Sequence, residues 1–139
     1  LRTDVAHKIL VELADSGIHY SMGQLVVSRD FLKRSADTVE KILRAYIEGV
    51  AALRDPANKE RVVKTIANVT RLKEVKAVEE IYNDAAIYVD RIPRVEPQAV
   101  AASVELMGKK GLPIETFADN SIVDKLVREG FVEQVYRKR

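Results

Sequence analysis

The spacing of apolar residues changes character at Ser28. Before it, "KILVELA" and "GQLVVS" are short runs of Ile, Leu and Val, with "DSG" after the first and "SRD" closing the second, and they read as two short strands joined through a turn at Ser16 and Gly17. The first run also carries helical spacing at Val5, Ile9, Leu10 and Leu13. After Ser28 the period is helical. Ser28 is positioned to cap a short turn, "RDFLKR", and Ser35 to cap a longer helix, each by accepting a backbone N–H that the first turn leaves without a partner. Asp37 falls in the first turn of that helix, where the dipole favours an acid. Val39, Ile42, Leu43, Tyr46, Ile47 and Val50 then form an apolar stripe, and Glu40, Lys41, Arg44 and Glu48 are assigned to the solvated face.

Four further helices follow from the same signals. In "DPANKE", Asp55 is a cap and Pro56 stands at the first position, where its missing N–H costs nothing; Val62, Val63, Ile66 and Val69 are expected to be buried. A helix over roughly 74–89 should bury Val75, Val78, Ile81, Tyr82 and Ala85, and the two prolines of "DRIPRVEP" enforce an extended connection after it. Pro97 opens another helix with Val100, Val104 and Met107 on one face, ended by "GKKGLP". "NSIVDKLVREGF" reads as a capped helix stopped at Gly130, followed by a final turn, "VEQVYRK". No fixed period links these helices, which argues against a solenoid.

Composition narrows this picture little. The 139 residues, 47% apolar and 32% charged, allow one compact domain or a piece of something larger. The formal charge is +2, with both signs scattered and a basic cluster only in the closing "YRKR", which weakens nucleic acid or an anionic membrane as a partner. The absence of Cys excludes disulfides, thiolate metal sites and a Cys nucleophile, but is silent on compartment. No apolar run is long enough to span a bilayer. The chain opens "LRTD" without Met, so an upstream segment is expected, and the lack of a signal segment is uninformative.

Catalytic chemistry is sparse. There is no phosphate-cradling Gly-rich loop, HExxH, nucleophile elbow or acidic calcium loop. His7 and His19 are not paired at metal-ligand spacing and read as structural or surface residues. Glu79 and Glu80 are neighbours about 100° apart on a helix, so they cannot share one substrate atom. Tyr46, Tyr82 and Tyr88 fall at core spacing, whereas Tyr20 sits in a short loop beside Ser21, Gly23 and Gln24.

The order of segments carries a resemblance. "ILVELADSGIHYSMGQLVVSRDFLKRSADTVEKILRAYIEGVAAL" resembles the second half of substrate-binding proteins of ABC transporters for nitrate, sulfonates and taurine, in which "VLADL…GIPY" leads to an apolar strand, an "S/TRxFL" turn and an "xPDTVxxxLRAYxEG" helix. The likeness continues through "ANVTRLKEVKAVEEIYNDAAIYVDRIPRVEPQAVAASVELMGKKG", with an "IPRxPYP"-like connection, to "FADNSIVDKLVREGFVEQVY", similar to the family's "FVDxxFVxELxxSGFI". Five motifs in order span nearly the whole chain, although none alone is highly specific. His19 stands where the family has Pro before Tyr20, and Ala36 where it has Pro in the first turn of the long helix.

The resemblance implies a periplasmic-binding-protein-like fold of type II, that is, two α/β lobes around a cleft, of which this chain is the C-terminal half: mainly helical, with about two short strands near its start. Residues 1–28 would be the end of the second lobe and the crossing strand "GQLVVS", and 29–139 the helical C-terminal part of the first lobe. It further implies a non-enzymatic solute-binding component that captures a small anionic or organic solute by lobe closure and delivers it to a membrane permease. The implied location is the periplasm, or an extracytoplasmic lipoprotein. No cofactor, metal or nucleic acid is expected, and a homo-oligomer is expected if the segment stands alone. The crossing strand would begin near the cleft mouth, which makes Tyr20, Ser21 and Gln24 the candidate ligand contacts; the alternative is a turn whose polar groups satisfy their own backbone. Two other functions stand beside this one: a stand-alone helical interaction module, and an enzyme like the synthases of a thiamine pyrimidine precursor, whose cofactor-linked Lys and reactive His motif are not found here.

Overall fold

A computed structural model describes residues 23–109 and 111–137. Seven α-helices form in this part of the chain: α1 (Arg29–Arg34), α2 (Ala36–Arg54), α3 (Lys59–Thr70), α4 (Val75–Tyr88), α5 (Pro97–Leu106), α6 (Ser121–Arg128) and α7 (Phe131–Arg137), with 3-10 turns at Pro56–Asn58 and Ile114–Thr116. The architecture is mainly helical, and among the described residues there is no strand. The expected strand "GQLVVS" is instead extended coil leading into α1. Its apolar residues favour an extended backbone, but a strand also needs a neighbour to complete its ladder, and none lies among the described residues. The expected first strand, "KILVELA", falls outside them.

Helix starts follow local chemistry where the cap residue is not needed elsewhere. The Ser28 hydroxyl accepts from the Phe31 N–H at 3.1 Å, which fixes the start of α1. Ser35 makes no such side-chain bond, contrary to expectation: it also ends α1, its N–H donating to the Phe31 carbonyl at 2.8 Å, and its backbone (φ −138°, ψ 36°) lies outside the extended region from which a cap hydroxyl reaches the first turn. Asp55 caps the 3-10 turn through Ala57 N–H at 3.0 Å and also accepts from the Asn58 amide at 2.8 Å. Gly130, at φ 72°, makes the break between α6 and α7, a left-handed conformation that glycine adopts without steric cost. The final turn proves to be a full helix, α7.

The main core joins the two ends of the described chain. Val39, Leu43 and Ile47 of α2 pack with Val123 and Leu126 of α6 and Val132 of α7, and Ile47 and Leu126 are 0% exposed. Val27, Leu32, Ile92 and Phe131 close around them. The stripe on α2 is therefore real but rotated toward one flank. Val50 and Ala51 are buried with it, whereas Ile42 is 41% exposed and Tyr46 also lies open. Glu40 and Arg44, expected on the solvated face, turn instead toward α6.

Away from this core the helices are half-clothed. α3 buries no residue completely: Val62, Val63 and Ile66 are half-buried, and Val69 is 79% exposed. On α4, Val78 and Tyr82 are buried and Ala85 is partly so, but Val75 and Ile81 are exposed, as is Met107 beyond the buried Ala99, Val100 and Val104 of α5. Arg54, at the end of α2, donates to the Val89 carbonyl at 2.8 Å and so covers the negative end of α4.

Candidate functional site

Of the three candidate contacts read from the sequence, Tyr20 and Ser21 lie outside the described residues. Gln24 lies within them, exposed at the beginning of the coil that enters α1. His7 and His19 are also outside. Tyr82 is a core residue as expected, with the Lys59 ammonium 5.6 Å from its ring centre, but Tyr46 and Tyr88 are exposed. Glu79 and Glu80 are both exposed on α4, in keeping with a solvated face.

The most organised polar surface is the connection between α4 and α5. Its backbone is extended by Pro93 and Pro97, and an extended segment outside a sheet must find hydrogen-bond partners elsewhere. Asn120 supplies them: its side-chain carbonyl accepts from Val95 N–H at 2.9 Å, and its amide donates to the Val95 carbonyl at 2.8 Å. That pair of bonds is what a neighbouring strand would give. Arg94 forms an ion pair with Asp124 on α6. Upstream, the Arg91 guanidinium lies 4.0 Å over the Tyr136 ring, whose hydroxyl donates to the Arg91 carbonyl at 3.3 Å. Although the Tyr46 ring lies partly open, partial desolvation of its hydroxyl, followed by the charge of Asp90, pushes that group above its ordinary pKa. The result is a shallow, open groove lined by Asp90, Ile92, Arg94, Val95, Glu96, Pro97 and Asn120.

The groove has no nucleophile beside a base, and among the described residues no group of His, Cys, Asp or Glu could hold a metal ion. Its strongest cation, Arg94, is already paired. A second depression, lined by Gly130, Glu133, Gln134 and Arg137, is more open still.

A charge cluster spans α2 and α6. Glu40 accepts from Lys125 at 2.7 Å and from Arg44 at 2.8 and 2.9 Å, while Arg44 reaches Glu129 at 3.1 Å and stacks 4.4 Å over Phe131. Two acids and two bases neutralise one another, so the cluster clamps helices and offers no net charge to a ligand. Asp119 is held below the ordinary carboxylate pKa by hydrogen bonds from Ser121, first its hydroxyl and then its backbone N–H.

Sequence reasoning missed Asn120, Arg94, Asp124 and Tyr136. Asn120 stands immediately before an apolar-periodic run and reads as a cap, yet its side chain makes no cap bond, because it is spent on a segment 25 residues away. No family model matches the chain, and no curated protein or solved structure matches it either.

Proposed function

We propose that the chain is a solute-binding component of an ABC importer, or the C-terminal part of one, whose helices form the outer layer of a lobe that closes on a small anionic or organic solute. The observation that supports this reading is the agreement between motif order and element order. "SRDFL" coincides with the capped α1, "ADTVEKILRAYIEG" with α2, "DRIPRVEP" with the extended connection, and "FADNSIVDKLVREGFVEQVY" with α6 and α7. Among the described residues, the α1 and α2 motifs and the closing α6–α7 motif, far apart in sequence, contribute to one core, as parts of a single lobe should. In this reading the protein needs no cofactor, the permease is its partner, and the type II fold and extracytoplasmic location come with the family.

The test is thermal shift of the full-length gene product against nitrate, sulfonates, taurine and related small anions. A rise in melting temperature with one of them that saturates with concentration is expected. A flat response across the panel, together with a gene that starts at Leu1, would reject the reading. A second reading, a helical interaction module, is favoured by one observation: large apolar side chains such as Val69, Val75, Ile87, Tyr88 and Met107 are exposed.

A further inference from the structure

The α3–α4 hairpin ends in a fully exposed tip. All nine residues from Asn68 to Lys76 are exposed. They include three large apolar side chains, Val69 at 79%, Leu72 at 38% and Val75 at 67% exposed. Interleaved with these are Arg71, Lys73 and Lys76 against the single acid Glu74, a net +2 that equals the formal charge of the entire 139-residue chain. Lys64 stands two turns earlier on α3. Among the described residues none of these four cations is held in an ion pair, in contrast to Arg44, Arg94 and Lys125. The balanced charge of the whole chain thus conceals a local excess at a protruding turn.

The backbone at the tip points the same way. Arg71 ends α3 in the left-handed region, at φ 59°, where the described residues otherwise place only glycines. Glycine is the ordinary choice for such a helix end, and an arginine there retains a charge at some conformational cost.

We propose that this tip docks on an anionic lipid surface, with Val69, Leu72 and Val75 entering the headgroup region and Arg71, Lys73 and Lys76 pairing with phosphates. Apolar residues flanked by unpaired cations suit an interface that is apolar below and negatively charged above. A convex tip needs no matching cavity in a flat, deformable partner, whereas an acidic protein would have to supply a groove that accepts three apolar side chains. The inference goes beyond the solute-binding reading and does not rest on it.

Co-sedimentation of the chain with vesicles tests it. Binding is expected to mixed phosphatidylglycerol and phosphatidylcholine vesicles, far weaker to phosphatidylcholine alone, and suppressed by high salt. Reversing two cations in Arg71→Glu/Lys73→Glu should weaken binding at least about tenfold, given the contribution of each cation near an anionic surface. Leu72→Ser should weaken it severalfold. Arg71→Gly separates charge from folding: binding should fall about fivefold while the melting temperature holds or rises, because glycine relieves the left-handed strain. Equal sedimentation with neutral and anionic vesicles, no sedimentation with either, or wild-type binding by the double variant would overturn the proposal. Binding to polyglutamate as tight as to vesicles, and indifferent to Leu72→Ser, would overturn it in favour of an acidic protein surface.

Discussion

Glu40 engages two cations at once, Lys125 and Arg44, and their hydrogen bonds, the one from Lys125 foremost, hold its carboxyl below the ordinary carboxylate pKa. A pKa lowered by folding means that the charged form contributes to stability above the unfolded-state value, and that this contribution is lost as pH falls through the folded-state value. Lys125 is the mirror image: its pKa is raised, first by the Glu40 hydrogen bond, so its contribution is present at neutral pH and is lost as pH rises through the raised value. Glu40→Gln should therefore lower the urea midpoint at neutral pH and flatten its fall on acidification. Parallel pH profiles for the variant and the parent chain would show that the cluster does not couple α2 to α6. At the same scale Ile47, fully buried, should lose about 2–5 kcal/mol on replacement by Ala, whereas the half-exposed Ile42 should lose about 1 kcal/mol or less; urea denaturation measures both. The apolar period at these two positions is indistinguishable in the sequence. What separates them is which flank of α2 meets α6 and α7, and that lies some 80 positions away.

Among elements, caps and stops were legible wherever their partners are local. Ser28, Asp55, Pro56, Pro97 and Gly130 act at or near the expected helix boundaries because a cap or break involves only a few neighbouring residues. Ser35 and Asn120 fail as side-chain caps for the opposite reason, since α1 and the distant Val95 claim them. Ser28→Ala should accordingly cost about 1 kcal/mol and Ser35→Ala only a few tenths, again by urea denaturation. The strand reading of Gly23–Ser28 failed because β preference describes a side chain against a neighbouring strand, and such a neighbour is not part of the local sequence. Likewise Val69 and Val75 carry a helical period, but a period reports that one side is apolar and not that anything covers it.

At the scale of the whole molecule, the flanks of α2 and α4 leave Ile42, Tyr46, Ile81 and Tyr88 in water, and contiguous apolar side chains of this size are an ordinary site of association. Light scattering of the chain alone should show a dimer or a larger assembly, and a clean monomer at high concentration would reject that expectation. On the solute-binding proposal, Tyr20→Ala and Gln24→Ala in the full-length gene product should each weaken solute binding by about 1–2 kcal/mol in calorimetry, the scale of one hydrogen bond to a ligand, without lowering the ligand-free melting temperature much. Unchanged affinity in both would leave this segment a scaffold.

The closure of one core by the two ends of the described chain has a further meaning in time. Glu40 and Lys125, like Arg44 and Glu129, are 85 positions apart, and Ile47 is sealed only when α6 and α7 arrive. On a ribosome that adds about 5–20 residues per second, α2 emerges roughly 4–17 s before its partners. During that interval its apolar side has no native neighbour from the C-terminal helices, so the nascent chain presents a target for holding chaperones and for self-association at the same place where the finished protein is most tightly packed.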